Sequence, residues 1–261
     1  MDTVAAFSLL QFNMQYGQPW IGRGDSEPES DINQTIAFLQ ENRADIIVLQ
    51  EVEHACGGTT QIEPPPHFSR LQHALQDYYG YFAYPEPHED ELPFGIGQAI
   101  LSRYPLSAMT RRTLPAPDLE FSFNGRAQRP APRLLIGARA DMQGCHLEIF
   151  NAHLQAFFMI GSSSDEHPAQ RESLLAEVAH VKLPTLVAGD FNCSPRESLV
   201  DSFERAGFRP CQNKQVTWKR KPYVLDHVFH NEHLECRSAE VIRTDVSDHH
   251  ALRVTLAFRD S

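Results

Sequence analysis

The stretch AGDFNCSP, residues 188–195, puts an aspartate and an asparagine two residues apart at the end of an apolar run. In an extended chain that spacing turns Asp190 and Asn192 to one side and Phe191 to the other. Similar groups stand at the ends of other short apolar runs. Asn13 follows FSLLQF, Glu51 follows DIIVLQ, and Asn151 and His153 close LEIFNAH. Asp226 lies within VLDHVF, and Asp248 and His249 precede ALRVTLAF. If these ends converge, they gather carboxylates, carboxamides and imidazoles with no cysteine among them. An oxygen-rich set of this kind suits a hard cation, Mg2+ or Mn2+, rather than zinc. It also suits hydrolysis of a phosphate ester. The cation takes the charge that builds on the phosphoryl group and the leaving oxygen. A carboxylate deprotonates water, and imidazolium and carboxamide donors hold the non-bridging oxygens.

Strand-length apolar runs carry these groups, at 7–12, 45–50, 98–102, 133–140, 147–152, 184–189, 224–229 and 251–258. Most are bounded by Gly, Pro or Asp, as strands are. Helical spacing alternates with them. Ile32, Ile36 and Leu39 make one apolar face within 31–43, as do Phe68, Leu71 and Leu75 within 67–78. Residues 168–181 repeat the pattern with Leu174, Leu175 and Val178, and Pro168 suits the first turn. Ser194 and Glu197 read as a capping box with Pro195 at the first position of a helix over 194–206, and Gly207 as its stop. Segments 84–95, 115–132 and 161–167 read as loops. Many strands with helices at intervals, in one unbroken unit over 1–261, imply two packed sheets with helices outside.

Composition narrows the partners. A net charge of -11 argues against a long basic groove for nucleic acid, although a cation in the site would invert the local field. The five cysteines show no C-x-x-C spacing, so His54, Cys56 and His67 make a poor zinc set. The first residues read as a strand with no basic leader, and no apolar run reaches membrane-spanning length. A reduced, cytoplasmic protein with no obligate protein partner is the expectation.

The ordered set Asn13, LQEVE (49–53), GIGQAILSRYP (95–105), NAHL (151–154), GDFN (189–192), LDHVF (225–229) and SDHHAL (247–252) resembles the endonuclease/exonuclease/phosphatase superfamily. That superfamily holds pancreatic deoxyribonucleases, exonuclease III-type abasic endonucleases, neutral sphingomyelinases and inositol polyphosphate 5-phosphatases. The resemblance implies a four-layered α/β sandwich, with two packed mixed β-sheets flanked by helices, and Mg2+- or Mn2+-dependent phosphoester hydrolysis. By the same resemblance Glu51 is the main metal ligand, with Asn13 beside it and Asp248 a second metal-side carboxylate. Asp190 activates water, Asn192 positions the phosphate or the nucleophile, His249 faces the phosphate and Asp226 orients His249. His153 is a second catalytic histidine. Its motif departs from the commoner N-T-H by Ala152, and the acid that would orient it is not evident. Asn151, Arg126 and Trp218 are candidates to touch substrate, Arg126 from an arginine-rich segment that also holds Arg111, Arg112, Arg129 and Arg133. Residues 157–160 (FFMI) belong to the core or to a pocket rim. The leading expectation is a phosphodiesterase on a small or lipid-like ester. A DNA or RNA nuclease comes next, and a catalytically silent binding protein last.

Overall fold

The computed structural model describes residues 6–22, 28–55, 61–212 and 214–259. Cys56 lies outside them. The strands are β1 (Phe7–Asn13), β2 (Ile46–His54), β3 (Tyr79–Ala83), β4 (Gly95–Ser102), β5 (Leu106–Leu114), β6 (Phe121–Phe123), β7 (Arg126–Gln128), β8 (Arg133–Met142), β9 (Cys145–His153), β10 (Thr185–Asp190), β11 (Arg209–Pro210), β12 (Asp226–His230), β13 (Leu234–Ile242) and β14 (Ala251–Phe258). The helices are α1 (Ile32–Glu41), α2 (Pro66–Ala74), α3 (Ala169–Val178) and α4 (Leu199–Arg205).

Two six-stranded mixed sheets form, ordered β13-β14-β1-β2-β4-β3 and β11-β12-β10-β9-β8-β5, and β6 and β7 pair as a separate hairpin. The parallel pairs are β1 with β2 and β9 with β10. Helix α1 makes the crossover in the first pair and α3 in the second.

Alternation along each strand sorts the side chains into three apolar layers. Phe7, Leu9, Ile46, Val48, Ile100, Ile136, Ile149, Leu186 and Val254 meet between the sheets. Leu10, Phe12, Ile47 and Leu49 point the other way, to Leu39 of α1 and Leu71 of α2. Leu135, Phe150, Val187 and Phe229 pack on Leu174 of α3 and Phe203 of α4. Helix, sheet, sheet and helix therefore stack as the expected four-layered sandwich.

Three local readings change. Helix α4 starts after Ser198, not at Ser194. Glu197 does reach back to the Ser194 N–H at 2.7 Å, so half of the capping box exists, but it closes a turn. Asp165 holds Ser198 at the true start, accepting from its N–H and its hydroxyl. The expected loop 115–132 contains the β6–β7 hairpin. Strands β5 and β13, at sheet edges, have no apolar run to mark them, because most of their side chains face solvent or sit half-buried.

Candidate active site

The layer between the sheets is apolar for most of its length and turns polar at one end. On β1 the inward series runs Phe7, Leu9, Gln11, Asn13. On β10 it runs Leu186, Ala188, Asp190, and on β9 it runs Leu147, Ile149, Asn151, His153. Because β1 and β2 are parallel, and β9 and β10 likewise, their last residues arrive at the same rim. The antiparallel strands begin there: Asp226 opens β12 opposite Asp190, and His249 sits just before β14.

Glu51 reaches the rim by breaking the alternation. The β2–β4 register shifts between Gln50 and Glu53, and Glu51 has φ of +50°, a left-handed backbone rare for a glutamate. Gln50 and Glu51 consequently both serve the inter-sheet side, although simple alternation would set them on opposite faces. Gly95 leaves the room required: a Cβ there would stand 2.3 Å from that of Glu51. Gly189 is similarly constrained, with φ of +151° and the Ala152 carbonyl oxygen 1.9 Å from where a Cβ would lie.

One carboxamide joins two carboxylates. Asn13 Nδ2 donates to Glu51 Oε1 at 2.9 Å and to Asp190 Oδ2 at 3.0 Å. Burial pushes Glu51 up to about 7, against the pull of that hydrogen bond. Burial pushes Asp190 up to about 8, against the pull of His249. Asn192, also left-handed at φ of +50°, donates its N–H to Asp190 Oδ1 at 3.0 Å and its Nδ2 to Leu154 O at 3.1 Å.

The two imidazoles differ. His249 Nδ1 is 2.8 Å from Asp226 Oδ2, and its Nε2 is 3.7 Å from Asp190 Oδ2. Burial works against its charge, but Asp226 and then Asp190 override this and raise it to about 10. Asp226 is held by Gln11 Nε2 at 2.9 Å, and its own N–H donates to Thr217 Oγ1 at 3.1 Å. His153 Nε2 stands 3.8 Å from both Glu51 Oε1 and Asp190 Oδ2. Burial, with the charges of Arg133 and His249, drives it well below the usual histidine range, so it is neutral.

The other candidates fall in different places. Asp248 Oδ2 accepts from Arg220 Nε at 2.7 Å and from the Trp218 indole N–H at 3.2 Å, while its Oδ1 lies 4.0 Å from His249 Nε2. Trp218 is buried and packs near the His249 ring and edge-on to Phe158, so its face is not open to a base. Asn151 is fully buried and spans the two sheets. Its Nδ2 donates to Leu49 O and Ala99 O, and its Oδ1 accepts from Gln50 Nε2 at 2.8 Å. With those groups engaged it is a clamp between sheets rather than a substrate contact. Arg126 is exposed on the β6–β7 hairpin. The arginine whose charge acts on Glu51 and His153 is Arg133, at the start of β8. In the FFMI segment, Phe157 is core, Phe158 lies against Trp218 and Tyr223, and Met159 is exposed.

Sequence reasoning passed over Gln11, Thr217, Ser247 and Arg220. Gln11 was within reach: it precedes Asn13 by two on the inward face of β1. Ser247, whose hydroxyl donates to Asn13 O at 2.8 Å, was visible in SDH. Arg220 carried no motif. His54 and His67, set aside as zinc ligands, bond to Pro93 O and Val52 O.

Size alone does not locate the site. A concavity of about 800 Å³ between α4 and β11 has walls such as Phe208, Pro210 and Glu232 and none of the strand-end groups. Asp190, Asp226 and His249 do offer ligand atoms within 4.8 Å of one another. A ring held protonated between carboxylates has no lone pair to give, however. The carboxylate oxygens beside the Asn13 amide are those of Glu51 and Asp190.

A family model described as the Endonuclease/Exonuclease/phosphatase family matches residues 10–249. No curated protein sequence matches the chain. Among solved structures, an endonuclease/exonuclease/phosphatase from Beutenbergia cavernae is 20% identical with a TM-score of 0.71, covering 97% of this chain and 72% of its own. The human Nocturnin catalytic domain, solved with a bound sulfate, is 20% identical with a TM-score of 0.67, covering 97% and 95%. A mannosyl-6-phosphatase from Bacteroides thetaiotaomicron is 16% identical with a TM-score of 0.65, covering 96% and 99%. At these identities the likeness is one of fold.

Proposed function

The chain belongs to the endonuclease/exonuclease/phosphatase family, and on that basis we propose that it is a hydrolase of phosphate diesters dependent on Mg2+ or Mn2+. The observation that carries the reading is the pair of buried carboxylates, Glu51 and Asp190, which share a single amide donor and are both pushed above the usual carboxylate range. Two such groups side by side without a cation are mutually unfavourable. An oxygen-rich pair flanked by carboxamides matches what a hard divalent cation takes. Glu51 and Asn13 would hold it, with Asp248 on the far side of His249.

When bound, the cation takes up charge from the phosphoryl group and the leaving oxygen. The chain's own groups do the rest. Asp190, fixed by Asn13 and the Asn192 N–H, accepts the proton of the attacking water. His249, charged and aligned by Asp226, donates from Nε2 to a non-bridging oxygen. His153, neutral, meets the phosphoryl group from the β9 side, and Asn192 positions it from beyond β10. The silent-protein reading is disfavoured, since Glu51, Asp190 and His249 are all present and brought together. A nuclease would use the same centre, and the net charge of -11 ranks it second.

The test is hydrolysis of bis(4-nitrophenyl) phosphate with Mg2+ or Mn2+, against EDTA and against Asp190→Asn. The variant should lose about 10²–10⁴ in turnover, close to all of it, with its circular dichroism unchanged. Full activity in the variant would remove Asp190 from its role. A wild-type protein that cleaves no diester, monoester or nucleic acid with either cation would overturn the reading. Monoesters belong in the panel because one structural relative is a mannosyl-6-phosphatase.

A further inference from the structure

A row of carboxamides crosses the layer between the sheets. Asn151 Nδ2 donates to Leu49 O at 2.8 Å and to Ala99 O at 3.0 Å. Gln50 Nε2 donates to Asn151 Oδ1 at 2.8 Å, and Gln11 Nε2 donates to Gln50 Oε1 at 2.7 Å. Gln11 Nε2 also donates to Asp226 Oδ1 at 2.9 Å, and Asp226 Oδ2 lies 2.8 Å from His249 Nδ1. Gln11, Gln50, Asn151 and Asp226 are fully buried.

The direction of this row is fixed from one end. A side-chain amide can be turned end for end, but Leu49 O and Ala99 O only accept, so Asn151 must face them with its NH2. The Asn151 oxygen then needs a donor from Gln50, and the Gln50 oxygen needs one from Gln11. The NH2 end of Gln11 is therefore the end that meets Asp226, and the reversed amide would set its oxygen against two others. The arrangement has a cost. Gln11 Oε1 is buried and has no hydrogen-bond partner among the described residues, and a bare acceptor inside a protein is destabilising and uncommon. A side chain selected for packing alone would carry no such oxygen. What Gln11 contributes is its donors, and one of them goes to the carboxylate that aligns His249. The Thr217 hydroxyl bonds the same carboxylate.

The last torsion of an aspartate is soft, so a carboxylate keeps one oxygen on a partner only when the other is held. The geometry points to Gln11 as a positioning residue for the hydrolysis: its enforced N–H holds Asp226 Oδ1, turns Oδ2 onto His249 Nδ1, and so keeps His249 Nε2 aimed at the phosphoryl position. The use made of His249 rests on the phosphoesterase reading above; the alignment of Asp226 with His249 does not.

The experiment reads the hydrogen bond as well as the rate. In the protein held in EDTA, the His249 Nδ1 proton, buried against Asp226, should give a low-field proton NMR resonance that is absent from Asp226→Asn. Gln11→Met keeps the volume of the side chain and removes both donors. In that variant the resonance should move upfield or broaden away. With Mg2+ and bis(4-nitrophenyl) phosphate its kcat should fall about tenfold or more, the worth of a hydrogen bond to a charged group, with KM unchanged. On an Asp226→Asn background Gln11→Met should add little, because both changes act through one residue. Gln11→Leu replaces Gln11→Met if the latter does not fold. A resonance unchanged by Gln11→Met would overturn the assignment. So would a loss of kcat that recurs in full on the Asp226→Asn background, since that is the mark of a merely structural residue. A wild-type protein that hydrolyses nothing would remove the hydrolase reading, and the resonance would still decide for or against Gln11.

Discussion

His249 and His153 approach the same Asp190 oxygen, at 3.7 and 3.8 Å, yet carry opposite charge states. The difference lies in their partners. Asp226 bonds the His249 ring directly, whereas the Glu51 and Asp190 carboxylates beside His153 stand beyond hydrogen-bond reach at 3.8 Å and Arg133 adds repulsion. Asp226→Asn should therefore lower His249 from its raised value and cost about 10²-fold in turnover, seen as a pH–rate profile whose alkaline limb moves to lower pH. Glu53 offers a separate test in stability. Burial raises it from 4.5 to about 7, although its carboxylate accepts the Phe68 N–H at 2.8 Å. A raised acid binds its proton more tightly in the folded state, so stability falls as pH climbs from the unfolded value of 4.5 through about 7. Across that window Glu53 costs at most roughly 3 kcal/mol, and urea titrations of Glu53→Gln should show the fall flattened.

At the level of strands and turns, the two sheets are locked by close approaches that tolerate little change. Gly189→Ala would drive a methyl into the Ala152 carbonyl, where β9 and β10 pair. A loss on the order of 3 kcal/mol is expected, read as a lower denaturation midpoint. Asn151→Ala would strip partners from Leu49 O, Ala99 O and Gln50 Nε2 at once. About 2–4 kcal/mol is expected there, several times a typical single hydrogen bond. Much of this architecture was legible in sequence. Strands β1, β2, β9 and β10 announce themselves because both faces are buried, and their polar last residues mark the rim. What stayed hidden has physical causes. Edge strands β5 and β13 bury too little to show a pattern. Glu51 arrives through a bulge, which alternation cannot foresee. Asn151 and Trp218 have the chemistry of substrate contacts but spend it on neighbours, and Arg133 had no mark to lift it above Arg126.

For the molecule as a whole, a net charge of -11 surrounds a site proposed to take an anionic ester. Duplex DNA bound through six to ten phosphate contacts loses about 10³–10⁵ in affinity between 50 and 200 mM salt. This protein should show no retention of duplex DNA in EDTA even at the lower salt, by electrophoretic shift, and a tight complex would refute that expectation. The site is also divided between the layers. Asn13 and Glu51 come from one sheet, and His153, Asp190 and Asp226 from the other. The chain builds most of the first sheet over residues 7–102, then the second over 106–230, then returns to finish the first with β13 and β14. Neither sheet alone holds a pair of carboxylates bridged by Asn13. A nascent or refolding chain with one sheet formed would thus be catalytically mute, and would begin to cut only on the last docking step. Recovered activity would then serve as a clock for that step, trailing the return of far-ultraviolet ellipticity.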